Sequence, residues 1–370
     1  MTPALILSSG LPPHGGNLSQ EALRLGLQPS QLLDASASLV PFRPPGVLRR
    51  ALKQAIGGSA LRDYPDREQR ALRQVIADWH GVLPEAVLPG NGAAELFTWS
   101  ARDAAAAGVS GLPEPGFADY HRALDCWEGD RCRLPLSLNW LNNWPQCWPF
   151  QAGPEQSFQV LWITNPHNPT GQLWSRASLE PLLEHYPLVI CDEAFLPLIP
   201  AGEAQSLLPL VETHPNLVVI RSLTKLFAIA GLRLGYAVAS PDRLHRWQRW
   251  RDPWPVNGLA LNAGCSLMAD QSGMKRWLQS VHNWVDEEGR WFHQQLDHLD
   301  GVSPLPSSAN YLLLHADVSL VELRERVARR GVLLRDCRSF QGLGENWLRI
   351  GLQDRRGNQR ILRALGQELS

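Results

Sequence analysis

Three short apolar runs constrain this chain more than any other feature. They are Val160-Leu161-Trp162-Ile163-Thr164, Leu188-Val189-Ile190-Cys191 and Leu217-Val218-Val219-Ile220, and each stops abruptly at polar, charged or proline residues. Runs of this length, rich in β-branched residues and bounded by turn signals, read as strands buried on both faces. A further strand is expected at Gly235-Tyr236-Ala237-Val238-Ala239. Between Leu188 and Gly235 the pattern predicts strand, helix, strand, lysine loop and strand. Strands alternating with helices argue for a mostly parallel sheet with helices on both faces. Such sheets bind ligands beyond the carboxyl ends of their strands. The residues that follow each run are therefore the place to look for chemistry.

The third run is followed by Arg221-Ser222-Leu223-Thr224-Lys225, with Arg233 eight residues past the lysine. An amine flanked by two hydroxyls and a guanidinium suits a phosphate-bearing aldehyde: the amine forms a Schiff base and the donors hold the phosphate. An ordinary loop with a surface lysine is the plainer reading of the same residues. The second run ends in Asp192-Glu193-Ala194-Phe195. An acid there is costly to bury unless it meets a cation or good donors; a pyridinium nitrogen would serve, and a solvated loop acid is the competing reading. The first run leads into Asn165-Pro166-His167-Asn168-Pro169-Thr170-Gly171, whose prolines and glycine would hold an asparagine amide at a set position.

Upstream, Val87-Leu88-Pro89-Gly90-Asn91-Gly92-Ala93-Ala94-Glu95 reads as strand, tight turn and helix start. Such a turn bares N–H groups at a helix N-terminus, an anion site, although a tight turn without a ligand fits equally. Residues 113–120 read as a loop into a helix, offering Phe117 and Tyr120 as flat side chains that packing alone would also explain.

The remaining elements are expected as follows. A Gly-rich turn at Pro12 to Asn17 precedes a helix from Ser19 to Leu25 with Ser19 as N-cap; His14 there reads as an exposed arm residue. Leu32 to Pro41 is extended, and Val47–Ile56 and Glu68–His80 are helices. Pro241–Arg251 is a basic helix, and a long helical region starts near residue 258. Strands at Ala309–His315, Gly331–Asp336 and Trp347–Leu352 surround a helix at Leu320–Arg330. Arg335 and Arg349 would hold a carboxylate or phosphate, or form structural ion pairs. The chain divides into an arm, 1–33, a large domain, 34–250, and a smaller α/β domain, 251–370, with a long linking helix at its start.

Composition narrows the function. A formal net charge of -1 over 370 residues leaves no electrostatic footprint for nucleic acid or an anionic membrane. No window approaches the ~18 apolar residues of a membrane helix. The six cysteines and eleven histidines show no metal-ligand spacing. No basic segment followed by a long apolar run is found at the N-terminus, so a cytoplasmic protein is expected. The fifteen tryptophans, grouped at Trp140, Trp144 and Trp148 and at Trp247, Trp250 and Trp254, read as packing.

Taken together, Asn165 to Gly171, Asp192 to Phe195 and Ser222 to Lys225 with Arg233 resemble, in order and spacing, the pyridoxal 5'-phosphate (PLP)-dependent aminotransferase family of fold type I. The resemblance covers nearly the whole chain. Within that family, His14 to Asn17, Gly90 to Glu95, Pro115 to Tyr120, Trp254 to Asn257 and Arg335 to Leu343 are similar to the threonine-phosphate decarboxylases of cobalamin biosynthesis. So is Phe195, where histidinol-phosphate aminotransferases typically carry Tyr. The resemblance implies a seven-stranded, mostly parallel sheet, a homodimer with sites at the subunit interface, and decarboxylation of L-threonine O-3-phosphate. Histidinol-phosphate or related amino-acid transamination is the alternative.

The resemblance also implies roles. Lys225 would bind the cofactor aldehyde, Asp192 its pyridinium nitrogen and Asn168 its phenolate oxygen. Phe117 would stack on the ring and Phe195 lie beside it. Gly92, Ala93, Ala94, Ser222, Thr224 and Arg233 would hold the phosphate, joined by Tyr64 from the neighbouring subunit. Arg349 would bind the substrate carboxylate, and Arg335 with His14 and Gly15 the substrate phosphate. One departure stands out: the family's Asn-x-Asn-Pro is Ser38-Leu39-Val40-Pro41 here, so two substrate-side amides are missing.

Overall fold

A computed structural model describes residues 14–139, 145–151 and 157–369. Its centre is a seven-stranded sheet. In spatial order the strands are Val87–Asn91, Leu234–Ala239, Leu217–Ser222, Leu188–Asp192, Val160–Thr164, Ser110–Glu114 and Arg131–Pro135. The five from Leu217–Ser222 onward run parallel, and Leu234–Ala239 is antiparallel to both its neighbours.

The apolar runs are continuous because both faces of the sheet are covered. Successive side chains in a strand point to opposite faces, and the core divides accordingly. Val160, Trp162, Leu188, Ile190, Val218 and Ile220 pack with Leu96, Phe97, Leu244 and Trp247 from helices Ala93–Ala107 and Pro241–Trp250. Leu161, Ile163, Val189, Cys191, Leu217 and Val219 belong to the other layer, with Leu72, Ile76, Ala263, Leu267 and Phe292.

A second, antiparallel sheet runs Arg335–Asp336, Trp347–Gly351, Tyr311–His315 and Ser303–Pro304. Leu33–Asp34 pairs in parallel with Val332–Leu333. That pairing anchors the segment after Asp34 beside the second sheet, which matters for the site.

Several elements differ from expectation. No α-helix lies between Leu188–Asp192 and Leu217–Ser222; three 3-10 turns, Leu196–Leu198, Gly202–Gln205 and Leu208–Leu210, take its place. Pro197, Pro200 and Pro209 interrupt any longer helix there. Pro113 and Glu114 close the Ser110–Glu114 strand rather than lying in a loop. The first helix is Leu18–Leu25, preceded by Asn17, so Ser19 sits inside its first turn and is not the N-cap. The long helical region is two helices, Gly258–Ala269 and Gln271–Asp297, separated at Asp270, whose carboxylate accepts the Gly273 N–H and caps the second. Gly258–Ala269 packs on helices Gly46–Gly57 and Arg70–His80. Trp140 and Trp144 lie outside the described residues, as do Pro12 and Pro13.

Candidate active site

Strand ends converge on one cavity of about 280 Å³. Its wall includes Lys225, Asp192, Asn168, Ser222, Thr224 and Arg233 from the edge of the central sheet, and Arg335 and Arg349 from the second sheet. Asn168 and Arg349, 181 positions apart in the sequence, thus share one space because both sheets present the same edge to it.

One end of the cavity is built for an oxyanion. Helix Ala93–Ala107 begins at Gly92 with no side chain capping it, so its N-terminal N–H groups and the positive end of its dipole face outward. Gly92 has φ +75°, and a Cβ there would lie 2.7 Å from Arg233 Nη2. Only glycine lets that guanidinium lie against the turn. Ser222 Oγ and Thr224 Oγ1 are 2.7 Å apart beside it, both buried. Backbone donors, two hydroxyls and a guanidinium form a phosphate cradle.

The opposite requirement is met at Asp192. Its Oδ2 accepts the Tyr120 hydroxyl at 2.6 Å and its Oδ1 accepts the Ala194 N–H at 2.9 Å. Tyr120 OH is also 2.8 Å from Thr164 Oγ1. Burial pushes the Asp192 carboxyl up to about 6, against the Tyr120 and Ala194 hydrogen bonds and the Lys225 charge, which pull it down. Among the described residues no cation hydrogen-bonds to it. A buried carboxylate held by neutral donors suits a protonated heterocyclic nitrogen.

Lys225 sits in a short helix, Leu223–Leu226, directly after the Leu217–Ser222 strand. Burial brings its ammonium down to about 8, with the Arg349 and Arg233 charges adding and Asp192 opposing. An amine near neutrality is a competent nucleophile toward an aldehyde. Its Nζ lies 5.6 Å from the Phe195 ring centroid.

The Asn165–Gly171 loop is pinned from both sides. Asn165 and Trp174 exchange two hydrogen bonds, and the Tyr311 hydroxyl donates to His167 O. This holds Asn168, whose Oδ1 accepts Arg349 Nη1 at 2.5 Å.

Arg335 and Arg349 are direct partners across adjacent antiparallel strands. Like charges placed so are unfavourable without a counter-charge. Phe340 offers its ring to both, 5.2 Å from Arg335 Cζ and 5.6 Å from Arg349 Cζ. Burial and the neighbouring Arg349 lower Arg335 to about 10. His14 reaches the same cavity, its Nε2 3.8 Å from Asp119 Oδ1 and its ring 5.5 Å from Phe117. Burial lowers its pKa, and the Arg335, Arg122 and Lys225 charges add to this against Asp119.

Of the residues singled out in the sequence, His14, Gly15, Ala93, Ala94, Phe117, Asn168, Asp192, Phe195, Ser222, Thr224, Lys225, Arg233, Arg335 and Arg349 line this cavity. Gly92 lies at its edge, under Arg233. Tyr64 is elsewhere: it is 78% exposed and stacks on Trp254 at 4.3 Å. Tyr120, read as a flat side chain for stacking or packing, is the donor to Asp192. Ser36, Ser38, Asp119 and Phe340 also line the cavity. Ser38 had a signal, the departure from Asn-x-Asn-Pro; no local pattern marks the others as site residues.

The donor set fits PLP: an amine for the aldehyde, a buried acid for the pyridine nitrogen and a cradle for the phosphate. Comparison with known proteins agrees. Residues 30–365 match the family model for aminotransferases of class I and II, and the chain belongs to that family. Among individual relatives, it is 34% identical over 367 residues to the threonine-phosphate decarboxylase of Salmonella typhimurium, covering 96% of each chain. It is 31% identical over 328 residues to a histidinol-phosphate aminotransferase of Symbiobacterium thermophilum, covering 87% of each. The fold is shared with the histidinol-phosphate aminotransferase of Sinorhizobium meliloti, solved in complex with PLP: TM-score 0.78, 18% identity, 98% of each chain.

Proposed function

We propose that this chain is a PLP-dependent lyase that converts L-threonine O-3-phosphate to (R)-1-aminopropan-2-yl phosphate and carbon dioxide, in cobalamin biosynthesis. The observation that carries the reading is the cross-strand pair Arg335 and Arg349 on the cavity wall. One ligand bearing both a carboxylate and a phosphate would answer both guanidiniums at once. Histidinol phosphate carries only the phosphate.

PLP, joined through the Lys225 amine, supplies an electron-poor ring that accepts the electron pair of a breaking Cα bond. The remaining work belongs to the chain. The Gly92–Ala94 turn, Ser222, Thr224 and Arg233 hold the cofactor phosphate. Asp192, kept anionic by Tyr120 and Ala194, holds the proton on the pyridine nitrogen. With its oxygen engaged by Arg349, Asn168 offers its amide N–H to the cofactor oxygen, and Phe117 covers the ring face. Arg349 orients the substrate carboxylate, and Arg335, His14 and Gly15 receive the substrate phosphate. When the Cα–carboxylate bond breaks, carbon dioxide leaves and Cα takes a proton. The Lys225 amine, buried on the cavity wall, would be the group to hold that proton and deliver it.

The active form is a homodimer in which Tyr64 reaches the cofactor phosphate of the other subunit. Ile56, Leu61 and Tyr64, all more than half exposed in the single chain, support a covered surface there. The arm (1–33), large domain (34–250) and small domain (251–370) are its working parts, and we place it in the cytoplasm. No helix among the described residues is long and apolar enough to cross a membrane.

The test is incubation of PLP-loaded protein with L-threonine O-3-phosphate, without a keto acid, while carbon dioxide is followed. Steady release over many turnovers is expected. Absence of release, with conversion of the cofactor to its amine form by histidinol phosphate, would make the enzyme an aminotransferase.

A further inference from the structure

The Gly92–Ala94 turn takes its shape from side chains outside the cavity. Glu95, in the first turn of helix Ala93–Ala107, folds back on the strand before it: its Oε2 accepts the Asn91 N–H at 2.6 Å. Its Oε1 accepts the Trp99 indole N–H at 3.2 Å. Arg251, with only 2% of its side chain exposed, places Nε 3.1 Å from the same Oε1. The Arg251 Nη1 donates to Pro89 O at 2.8 Å. The pair therefore ties the end of strand Val87–Asn91 to the start of the helix, on the two sides of Gly92.

Two consequences follow for the N–H groups of the turn. The Gly92 N–H donates to Gly90 O at 2.7 Å, so with Asn91 on Glu95 both are satisfied internally. The N–H groups that open the helix, at Ala93 and Ala94 on the cavity wall, are left for a ligand. The floor beneath them is equally close, since a Cβ at Gly235 on the neighbouring strand would lie 2.9 Å from Ala93 N. Glu95 also carries a full negative charge into the helix turn that faces the phosphate, where alone it would repel a phosphate. Arg251 supplies the opposite charge.

We propose that Glu95 and Arg251 are positioning residues for the cofactor phosphate. The pair fixes the Gly92 turn so that the Ala93 and Ala94 N–H groups stay aimed at the phosphate, and Arg251 cancels the charge that Glu95 would otherwise set beside it. Neither side chain lines the cavity, so both act through the turn and not by touching the cofactor. The proposal rests on the reading of the Gly92–Ala94 turn as the phosphate cradle, and the experiment separates the two.

Two aldehydes are titrated into the cofactor-free full chain and followed by the visible absorbance band. PLP carries the phosphate; 5'-deoxypyridoxal keeps the aldehyde and ring nitrogen but has none. Glu95→Ala is expected to weaken PLP about tenfold, the scale of one hydrogen bond to a charged group, and to leave 5'-deoxypyridoxal within about twofold. Glu95→Gln keeps an acceptor for the Asn91 N–H and should stay within about threefold of wild type for PLP. Arg251→Met should weaken PLP about tenfold in wild type but no more than about threefold in the Glu95→Gln background, where there is no charge left to cancel. Equal losses for both aldehydes, no loss for either, or the same Arg251→Met loss in both backgrounds would overturn the proposal. Wild type binding PLP no more tightly than 5'-deoxypyridoxal would overturn the cradle reading, and this proposal with it. Phosphorus NMR of the PLP-loaded protein gives an independent readout that stands even if Arg251→Met does not fold. The cofactor phosphate resonance should move in Glu95→Ala and stay in place in Glu95→Gln; an unmoved resonance in Glu95→Ala would sink the proposal.

Discussion

Arg221 and Arg349 are both buried arginines on strands, and the protein treats them in opposite ways. Arg221 is enclosed by acids: its Nε donates to Glu193 Oε2 at 2.9 Å, and its two terminal nitrogens reach Glu203 at 2.6 and 3.0 Å. Ser206 and the Leu207 N–H complete the shell around Glu193. Arg349 meets only neutral acceptors among the described residues, Asn168 Oδ1 and Ser36 O, and keeps Nε unpaired. A cation whose counter-charge lies within the fold serves architecture. One buried without its counter-charge costs stability and is the candidate to meet an anionic ligand.

The adjacent acids Asp192 and Glu193 repeat the contrast. Burial raises both. Glu193 has Arg221; among the described residues Asp192 has only Tyr120, Ala194 and the more distant charge of Lys225. Asp192 is the last residue of its strand and Glu193 the first beyond it, so one step along the chain separates an acid on the cavity wall from one in the buried framework.

The comparison can be broken most forcefully at Lys225. Lys225→Ala should abolish turnover, by at least on the order of 10³-fold, and remove the cofactor's visible absorbance band while leaving the far-UV circular dichroism intact. Retained turnover would end the lyase assignment. Next is the arginine pair itself. Arg221→Met leaves Glu193 buried beside an apolar side chain and should cost about 3–5 kcal/mol in urea denaturation. Arg349→Met should leave stability within about 1 kcal/mol but raise KM for L-threonine O-3-phosphate about 10–100-fold. Reversed outcomes would mean that the two cations have been assigned the wrong roles.

A smaller effect sharpens the acid comparison. The Tyr120 hydroxyl pulls the Asp192 pKa down, so Tyr120→Phe should raise it above about 6 and move the acid limb of the activity profile to higher pH. An unmoved limb would show that Tyr120 only packs. The smallest effects concern the cofactor-free protein. Asp192 has a folded pKa of about 6 against 3.8 when unfolded, so the folded state binds the extra proton between them and stability falls as pH rises through that window. Lys225 lies at about 8 when folded against 10.5, so the unfolded state binds the extra proton and stability rises as pH climbs from about 8 to 10.5. Denaturation midpoints across pH should lose the first slope in Asp192→Asn and the second in Lys225→Met.

Much of the site was legible because it lies at strand ends. A buried strand announces itself by a short apolar run, and the residue just past it must emerge at the sheet edge. That position made Lys225, Asp192, Asn168 and the Gly92 turn candidates, and the family resemblance supplied the roles expected of them. Tyr120 was not legible in its role, since its partner Asp192 is 72 residues away and nothing beside Tyr120 marks it as a donor. The helix expected after Asp192 failed for a local reason, the weight of Pro197, Pro200 and Pro209, which outranks the periodicity of the leucines between them.

The sequence by itself determined the layered α/β architecture and the chemical inventory of the site, because hydrophobic period and turn chemistry act over a few residues. Only the tertiary structure decided which arginine is enclosed by acids and which meets only neutral acceptors among the described residues, and that Arg335 faces Arg349 across a strand pair. Those facts depend on register and on contacts between segments about 300 residues apart, where electrostatics and desolvation are set by neighbours that no local pattern names.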